Sequence, residues 1–364
     1  MENYTSSDSS SDSESGQERR RHGATLDLSG LQLDPESVCS RLEAAEAPQL
    51  VEHVLLGHNR LTGPLDGSGH WDLALVHFVG LASLDVSGCS LSGLPEALNE
   101  ITTLVSLTAR NNALSNGSLP KSLKGLVALR ELNLSGNRLT EFPEQVLELP
   151  ALRYLYLGGN LISHITQDVW KSQRLQVLSL GSNRLAEVPS TLGQLVSLQA
   201  LVLCDNELES LPNSIAHLKK LKSLLLHKNR LRTLPTEIIT LQCLTELSLR
   251  DNPLVVRFVS DMTHDPPKLL ELAARVVKAN ELTYEEENLP RNLIEYLNSG
   301  HRCVNPLCKG VFFDNRVEHV KFVDFCGKYR LPLLQYLCSS RCIDPRDADE
   351  EPVSGAMIRK VLLG

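Results

Sequence analysis

Leucines recur along most of this chain in the pattern L-x-x-L-x-L-x-x-N-x-L, in which polar residues fill many of the x positions. The asparagine returns in phase with the leucines, and every interval from Asn137 to Asn252 is 23 residues. The full column comprises Asn59, Cys89, Asn112, Asn137, Asn160, Asn183, Asn206, Asn229 and Asn252, with cysteine as the substitute at one position. A period of about 20 to 29 residues indicates a stacked array of repeats.

Each L-x-L segment is predicted to be a short strand, and the strands of successive repeats should pair in parallel on a concave side. The asparagine should end the strand and hold its turn to neighbouring backbone. In five repeats a proline then directs the chain along the convex side, at Pro95, Pro143, Pro189, Pro212 and Pro235. Residues 26–33 fit an atypical first repeat, and longer intervals place insertions near 67–71 and 116–117. Because these columns serve the stacking of the leucines, we interpret them as structural.

Over about residues 50–254 this pattern resembles the leucine-rich repeat family. The resemblance implies an α/β fold, a solenoid with a parallel β-sheet on its concave face and about nine to ten repeats within residues 23–260. Such a fold says little about function, which depends on the residues at its variable surface positions. The sequence has no evident nucleophile–base pair or phosphate-binding glycine loop, so we expect a binding protein with no catalytic residues.

The variable positions of successive strands should form rows across the concave face. Apolar residues gather in the third and fifth positions of the central repeats, beside a charged edge. A contiguous exposed apolar patch usually marks an interaction site, and tyrosine is a frequent interface anchor. An ordinary solvated rim is the alternative interpretation. The predicted partner-binding residues are Tyr154, Tyr156, Val177, Val202, Leu225, His227 and Arg250.

Two short helices are predicted after the repeats end near residue 254. The first should begin after two prolines at 266 and 267, and its apolar stripe consists of Leu269, Leu272, Ala273, Val276 and Val277 at i, i+3, i+4, i+7 and i+8. The second should follow Leu289 and Pro290, with Leu293, Ile294 and Leu297 on one face. One role for such helices is to cap the end of the array, which repeat proteins require.

Residues 268–297 also resemble the SOCS box, the elongin-binding and cullin-binding module of ubiquitin-ligase receptors. Leu269, Ala273 and Val277 match the leucine, the cysteine and the aliphatic position of its elongin-binding helix. The resemblance therefore implies that Leu269, Leu272, Ala273 and Val277 bind elongin B/C. Twenty residues after Leu269 begins a match to the L-P-x-x-L-x-x-Y-L end of the cullin-5-type box, which implies a cullin-binding set of Leu289, Pro290, Leu293, Tyr296 and Leu297.

Three positions depart from the SOCS-box pattern. Ala273 replaces the usual cysteine, Lys268 replaces a small residue, and residues 287–288 are Glu-Asn where an upstream Leu-Pro is usual. These departures lie at positions that affect the affinity for elongin and the choice of cullin. The match at residues 289–297 favours a cullin of the cullin-5 type.

Five of the nine cysteines lie between residues 303 and 342. Two close pairs, Cys303 with Cys308 and Cys338 with Cys342, could together supply the four soft ligands of a tetrahedral zinc ion, so we predict a structural zinc site. The intervening segments 311–313 and 320–325 are predicted to be two strands of a small zinc-ribbon-like module. Buried free thiols are the alternative, and Cys326 is a further candidate ligand.

The net charge of −8 argues against sequence-independent binding of nucleic acid, which requires clustered cations. No apolar run approaches the ~18 residues of a membrane span, and the first residues lack the apolar core of a signal peptide. We therefore expect no membrane association and a location in the cytoplasm or nucleus, where cysteines stay reduced.

The patterns divide the chain into five expected segments: a disordered acidic, serine-rich tail (1–22), the repeats (23–260), the SOCS-box-like helices (265–299), the cysteine-rich module (300–343) and an acidic tail (344–364). Two functions fit this organisation. The first is a substrate receptor of a cullin-RING ubiquitin ligase, which holds a target protein on the concave face and recruits the ligase through residues 268–297. The second is a non-catalytic scaffold or signalling regulator that binds a phosphatase or small GTPase.

Overall fold

The computed structural model of the chain describes residues 24–62, 71–254, 267–285, 288–325 and 329–343. The two predicted tails, most of the insertion near 67–71, the proline at 266 and Cys326 lie outside these residues.

The repeat region contains a short strand at each L-x-L segment, as predicted, and one further strand, β10, outside these segments. Its strands are β1 (Ala24–Asp27), β2 (Val51–Leu55), β3 (Ser83–Asp85), β4 (Ser106–Thr108), β5 (Glu131–Asn133), β6 (Tyr154–Tyr156), β7 (Val177–Ser179), β8 (Ala200–Val202), β9 (Ser223–Leu225), β10 (Leu234–Pro235) and β11 (Glu246–Ser248). All of these except β10 form one ten-stranded sheet in chain order within the described residues. Each neighbouring pair is parallel, which confirms the predicted solenoid.

The asparagine column forms a ladder of hydrogen bonds between repeats. The Asn183 side chain donates to the Leu180 carbonyl of its own repeat and the Leu157 carbonyl of the preceding one, both at 3.0 Å. Its Oδ1 accepts from the N–H of Ile162, also at 3.0 Å. These bonds satisfy backbone groups that the short strands leave buried. The same three bonds recur at Asn137, Asn160, Asn206, Asn229 and Asn252.

Cysteine at position 89 retains part of this pattern. The Cys89 thiol is fully buried and donates to the Leu56 carbonyl of the preceding repeat at 3.1 Å. A thiol has no equivalent of the amide oxygen, so it replaces only the donor side of asparagine. Cysteine therefore preserves the contact between repeats at this position with fewer hydrogen bonds.

The five prolines start the convex return of their repeats. Each has a φ between −63° and −73° and directly precedes a 3₁₀ helix, because its ring holds the backbone in a conformation suited to a helix start. The 3₁₀ helices span Pro48–Leu50, Glu96–Glu100, Asn116–Ser118, Glu144–Glu148, Gln167–Lys171, Ser190–Gln194, Asn213–His217, Thr236–Thr240 and, after the repeats, Ser340–Cys342. The leucines between the sheet and these helices form one continuous core.

Two α-helices lie near the N-terminal end of the solenoid. Helix α1 (Pro35–Glu43) is capped by the Asp34 side chain, which accepts from the N–H of Ser37 at 2.8 Å. Helix α2 (Trp71–Leu75) follows the first insertion. Both contribute side chains to the core, which makes these repeats less regular than the central ones.

Two further helices and four strands follow the repeats in the part of the chain that the structure describes. Helix α3 (Leu269–Ala279) and helix α4 (Arg291–Asn298) occur where the apolar periodicity predicts them. Strands β12 (His301–Arg302) and β13 (Val311–Phe312) pair with each other, and β14 (Val317–Phe325) forms an antiparallel hairpin with β15 (Tyr329–Leu337). The segments 311–313 and 320–325 thus contain strands, as predicted, but these strands belong to two sheets, because β13 pairs with β12 and β14 pairs with β15.

The hairpin joins the cysteine-rich segment to the solenoid. Strand β15 pairs in parallel with β10, where Leu333 lies opposite Leu234. Leu331 and Leu333 are each 1% exposed and belong to the same core as the repeat leucines. The hairpin therefore covers apolar surface of the last repeats. The described residues contain no helix of the length and apolarity that a bilayer span needs.

Candidate functional site

The sheet register places the predicted concave residues side by side. Tyr154 lies opposite Val177 in the third-position row, and Val202 lies opposite Leu225 in the fifth-position row, which also contains Tyr156. All five side chains are half-buried, so they combine a fixed position with accessible apolar surface. The structure thus brings the predicted patch together on one face, and its binding of a partner stays a prediction.

Polar contacts orient the side chains around this patch. The Tyr154 hydroxyl donates to Gln176 at 3.2 Å, and His227 Nδ1 lies 3.1 Å from the Ser248 hydroxyl. Burial, followed by the nearby Glu131 carboxylate, raises the pKa of Tyr156, so this phenol stays neutral at physiological pH. Arg250 is exposed at the neighbouring edge. The patch is therefore an uncharged surface with a charged border.

Glycines in the seventh position leave backbone with no side chain beside the tyrosines, a feature that the spacing of the leucines does not indicate. A Cβ on Gly181 would lie 2.9 Å from Cys204 Sγ, and a Cβ on Gly158 would lie 3.2 Å from the carbonyl oxygen of Gly181. The concave surface is consequently lower here than in the last two repeats, where His227 and Arg250 occupy the same row. The two glycines become one low area only when consecutive repeats stack, because a single glycine in the sequence does not indicate which side chains lie beside it.

Helix α3 turns much of its apolar stripe to solvent. The side chains of Leu269, Leu272 and Val276 are 83%, 45% and 57% exposed, and Ala273 is also exposed. Val277, the fifth member of the stripe, is half-buried against the cluster that Ala274 forms with α4. Three of the four predicted elongin-binding residues are therefore accessible, and Val277 is partly engaged within the chain.

Helix α4 and its N-terminal turn hold the predicted cullin-binding residues. Pro290 is exposed at the start of the helix, and Leu289 and Leu293 are half-buried. Leu297 is 6% exposed and packs against Ala274 of α3. The set is therefore divided between an accessible N-terminal turn and a packed C-terminal half.

Tyr296 is also engaged within the chain. Its ring stacks on Phe313 at a centroid distance of 4.8 Å, and its hydroxyl donates to Asp314 at 3.1 Å. Burial, followed by the bond to Asp314, raises the pKa of Tyr296 to about 12. These contacts fasten the C-terminal end of α4 to the segment after β13.

The four predicted metal ligands converge in space. The sulfur atoms of Cys303, Cys308, Cys338 and Cys342 all lie within 4.8 Å of one another, and two of the separations are 3.5 Å and 3.6 Å. Tetrahedral zinc with Zn–S bonds of about 2.3 Å has sulfur atoms about 3.8 Å apart. The thiols are free and mostly half-buried. Their number, chemistry and spacing could therefore hold a metal ion of zinc's size.

Two loops supply these thiols. The first connects β12 to β13, and the Gly310 N–H in it donates to Cys308 Sγ at 3.2 Å. The second follows β15, and its Cys342 carbonyl accepts from the Asn305 side chain of the first loop at 2.7 Å. A Cβ on Gly310 would lie 2.5 Å from Cys338 Sγ, so this position has no room for a side chain. Gly310 and Asn305 are site residues that the cysteine spacing alone does not indicate.

The thiols have unequal affinities for protons. Burial acts against ionisation of Cys308, but the hydrogen bonds from Gly310 and the neighbouring thiols lower its pKa overall. Burial, followed by the hydrogen bond with Cys308, raises the pKa of Cys338, and the same two causes raise the pKa of Cys342 to about 11. Thiols this close cannot all ionise without a cation among them, since like charges repel.

The chain shares its repeats with proteins already described. Residues 150–302 match the family described as leucine-rich repeat region, and residues 102–162 match the one described as leucine rich repeat. A Xenopus laevis protein named leucine-rich repeat-containing protein 58 is 60% identical over 86% of this chain and 90% of its own length. The Mus musculus protein of the same name is 59% identical over 94% of this chain and 98% of its own length.

A solved structure agrees with these matches. The leucine-rich repeat protein of Leptospira interrogans has a TM-score of 0.55 to this chain at 33% identity, over 64% of this chain and 55% of that one. The match thus spans little more than half of the Leptospira protein, and it supports the repeat fold. The family matches and the two relatives show that the chain belongs to the leucine-rich repeat family, as a relative of the proteins named leucine-rich repeat-containing protein 58, and they support a scaffold for protein–protein contacts.

Proposed function

We propose that this protein is the substrate-recognition receptor of a cullin-RING ubiquitin ligase. In this proposal the concave patch binds a target protein, α3 binds elongin B/C, and the segment 289–297 binds a cullin, with the cullin-5 type favoured. The protein contributes no chemistry of its own. It accelerates ubiquitin transfer by holding target lysines near the ubiquitin-charged enzyme, which is an effect of proximity.

The exposed stripe of α3 is the observation that carries this proposal. Leu269, Leu272 and Val276 leave apolar surface in water on a helix that already uses its other face for packing. An amphipathic helix with anchors at i, i+3 and i+7 is a common ligand of apolar grooves in partner proteins. Two of the three residues that match the SOCS-box helix, Leu269 and Ala273, are among the exposed ones, so the stripe and the resemblance support the same partner.

A pull-down with purified elongin B/C tests the first contact. The full-length chain should capture elongin B/C, and Leu269→Asp should abolish capture, because a carboxylate would enter an apolar pocket. Leu282→Asp is the matched control, since Leu282 is an exposed leucine 53% accessible and outside the proposed contact. Absence of capture by the unchanged chain, or equal capture by Leu269→Asp, would contradict the proposal.

The target can be sought with the same variant. Leu269→Asp should keep the concave patch and lose the ligase, so a bound target should accumulate in affinity purifications from cells treated with a proteasome inhibitor. Combining Tyr154→Ala with Tyr156→Ala should release that target, because large half-buried aromatic residues carry much of the energy of an interface. Unchanged recovery of every partner in the tyrosine variant would show that the target binds elsewhere.

The cullin contact has its own test. Pro290 is exposed at the start of α4, so Pro290→Ala should weaken assembly with a cullin while elongin B/C stays bound. Reconstitution with cullin-5 and with cullin-2 compares the two types directly. Preferential assembly with cullin-2 would contradict the favoured type, and a phosphatase or small GTPase recovered without elongins would favour a scaffold or signalling regulator instead.

We further propose that Cys303, Cys308, Cys338 and Cys342 bind one structural zinc ion. The sulfur separations and the all-thiol ligand set support this assignment, and four protein ligands leave no open position for catalysis. Elemental analysis of the purified chain should find about one zinc per chain, and Cys338→Ser should lose it. Purified protein that carries no zinc and does not take it up would contradict the assignment.

A further inference from the structure

A buried ion pair attaches helix α3 to the cysteine-rich segment. The Glu271 side chain is only 3% exposed, and its carboxylate accepts hydrogen bonds of 2.6 Å and 3.1 Å from Arg275. It also accepts from the main-chain N–H groups of Phe313 at 3.2 Å and Asn315 at 3.0 Å. A buried carboxylate needs such partners, because an unpaired buried charge strongly destabilises the state that contains it. The position of α3 therefore depends on the segment that holds residues 313–315.

Arg275 extends this attachment to the cysteine cluster. Its guanidinium donates to the main-chain carbonyl of Cys338 at 2.8 Å and to that of Asn315. Cys338 is one of the four clustered cysteines, so the arginine links α3 to the loop that carries two of the sulfur atoms. The fixed planar geometry of the guanidinium makes such contacts sensitive to small displacements of the carbonyls.

The same loop is continuous with the solenoid. Cys338 directly follows β15, and β15 pairs with β10 of the repeats. Leu331 and Leu333 of this strand lie in the repeat core. A short path of backbone and hydrogen bonds thus runs from the last repeats, through the loop that carries Cys338, to α3.

We propose that metal binding by the four cysteines fixes the position of α3, and so determines whether its apolar stripe is presented to a partner protein. This inference rests on the proposed metal site and deepens the proposed function, because it makes recruitment of the ligase dependent on the metal. In this proposal the bound metal holds α3 in a fixed position relative to the repeats.

The small core around the cluster explains why a metal would have this effect. Its buried members are Cys303, Val317 and Leu337, and the contacts between the two loops include the Asn305 hydrogen bond and the Cys308–Cys338 thiol contact. In small metal modules the free energy of metal binding is a large part of the free energy of folding. Without the metal, the Cys338 carbonyl and the 313–315 segment should move, and Glu271 would lose the partners that keep it buried.

Hydrogen–deuterium exchange on the full-length chain tests this coupling without any partner. The chain is compared as loaded with Zn²⁺, after removal of the metal by a chelator, and after Zn²⁺ is added back. The α3 amides should exchange at least about tenfold faster without zinc and recover on its return, because exchange reports local opening. Peptides of the central repeats should not change. Equal α3 exchange in the loaded and stripped chain would overturn the inference, as would a failure of the chain to bind zinc.

Two arginine variants separate the coupling from loss of the metal itself. Arg275→Ala should still bind about one zinc per chain, yet its α3 should exchange at the rate of the metal-free chain. Arg302→Ala is the matched control, because Arg302 is 87% exposed in the same segment and its ion pair with Glu281 is 3.8 Å long. A zinc-bound Arg275→Ala protein with unchanged α3 protection would contradict the inference.

Capture of elongin B/C then connects the two proposals. The zinc-loaded chain should capture it at least about tenfold better than the stripped chain, since an unfolded or displaced helix must order before it binds. If the zinc-loaded chain captures none, the receptor function is wrong, whereas the exchange comparison still decides whether the metal controls α3. If capture is equal with and without zinc, the metal does not control presentation of the helix.

Discussion

Tyr296 lies almost flat on Phe313, with ring centroids 4.8 Å apart and ring planes 15° from parallel. The two residues belong to different proposed functions, because Tyr296 is in the cullin-binding set and Phe313 is beside the cysteine loops. Their stacking joins α4 to the cysteine-rich segment in the same way as Arg275 joins α3 to it. The C-terminal helices are thus held by contacts that only the folded chain contains.

Titration of Tyr296 should report this contact. An unfolded tyrosine ionises near pH 10, whereas burial and Asp314 raise the pKa of Tyr296 to about 12 in the folded chain. Between these values the unfolded chain has lost the proton that the folded chain keeps. The free energy of unfolding should therefore fall as pH rises from about 10 to 12, and the contribution is fully present only below this window.

Tyr296→Phe should remove the tyrosinate absorbance that develops near pH 12, and it should flatten the loss of stability in that window. Tyr284→Phe is the control, because it leaves Tyr296 and its stacking in place. If tyrosinate absorbance still develops near pH 12 in Tyr296→Phe, the raised pKa belongs to a different tyrosine.

Gly310 should be essential to the cysteine cluster. In Gly310→Ala the new methyl group would lie 2.5 Å from Cys338 Sγ and 3.0 Å from Cys308 Sγ, so the sulfur atoms would have to separate. Changes beside a metal site typically weaken binding about 10- to 100-fold, and we expect zinc affinity to fall by that range. Competition with a coloured chelator measures it. Gly117→Ala is the control and should not change zinc affinity, because nothing lies within 4 Å of its Cβ. Equal zinc affinities in the two variants would argue against binding of zinc by the four cysteines.

The asparagine ladder should be necessary for the stability of the repeats. Asn183→Ala removes three hydrogen bonds to backbone groups in the interior, and unsatisfied buried groups cost about 1–3 kcal/mol each. We expect a loss of about 3 kcal/mol in the free energy of unfolding, measured by chemical denaturation. Asn213→Ala, an exposed asparagine in the next repeat, should change stability by less than about 0.5 kcal/mol. Similar losses in both variants would show that the ladder contributes little.

The hairpin should be energetically part of the solenoid. Leu333 is 1% exposed in the core of the repeats, so Leu333→Ala should cost about 2–5 kcal/mol and accelerate proteolysis of the last repeats. Val304→Ala should not, because Val304 is 45% exposed. If Leu333→Ala released only the hairpin and left the last repeats fully protected, the two would be separate folding units.

Most of the solenoid follows from local spacing. Each 23-residue repeat contains a strand, a turn held by the asparagine and a segment that returns along the convex side, in that order. The leucine positions of one repeat therefore predict where the strand of the next repeat begins. The concave rows of Tyr154 and Tyr156 were predictable for the same reason, since neighbouring repeats are also neighbours in space. The two C-terminal helices follow from apolar residues spaced at i, i+3 and i+4.

The C-terminal contacts could not be predicted in this way. An acidic residue followed by arginine four positions later indicates a helical ion pair, but Glu271 on a helix surface would ordinarily be solvated. Its burial depends on Phe313 and Asn315, and Arg275 depends on Cys338, 63 residues away. Similarly, the four cysteines suggested a cluster, whereas the role of Gly310 beside it follows only from three-dimensional distances.

By itself, then, the sequence determined the repeat fold, the rows of the concave face, the two helices and the identity of the clustered cysteines, because each depends on periodicity or on residue chemistry. Only the tertiary structure decided which face of α3 is buried, that β15 joins the solenoid at β10, and that the cysteine-rich segment holds both helices. These relationships join segments far apart in the chain, and no local pattern encodes which distant partner a side chain will meet.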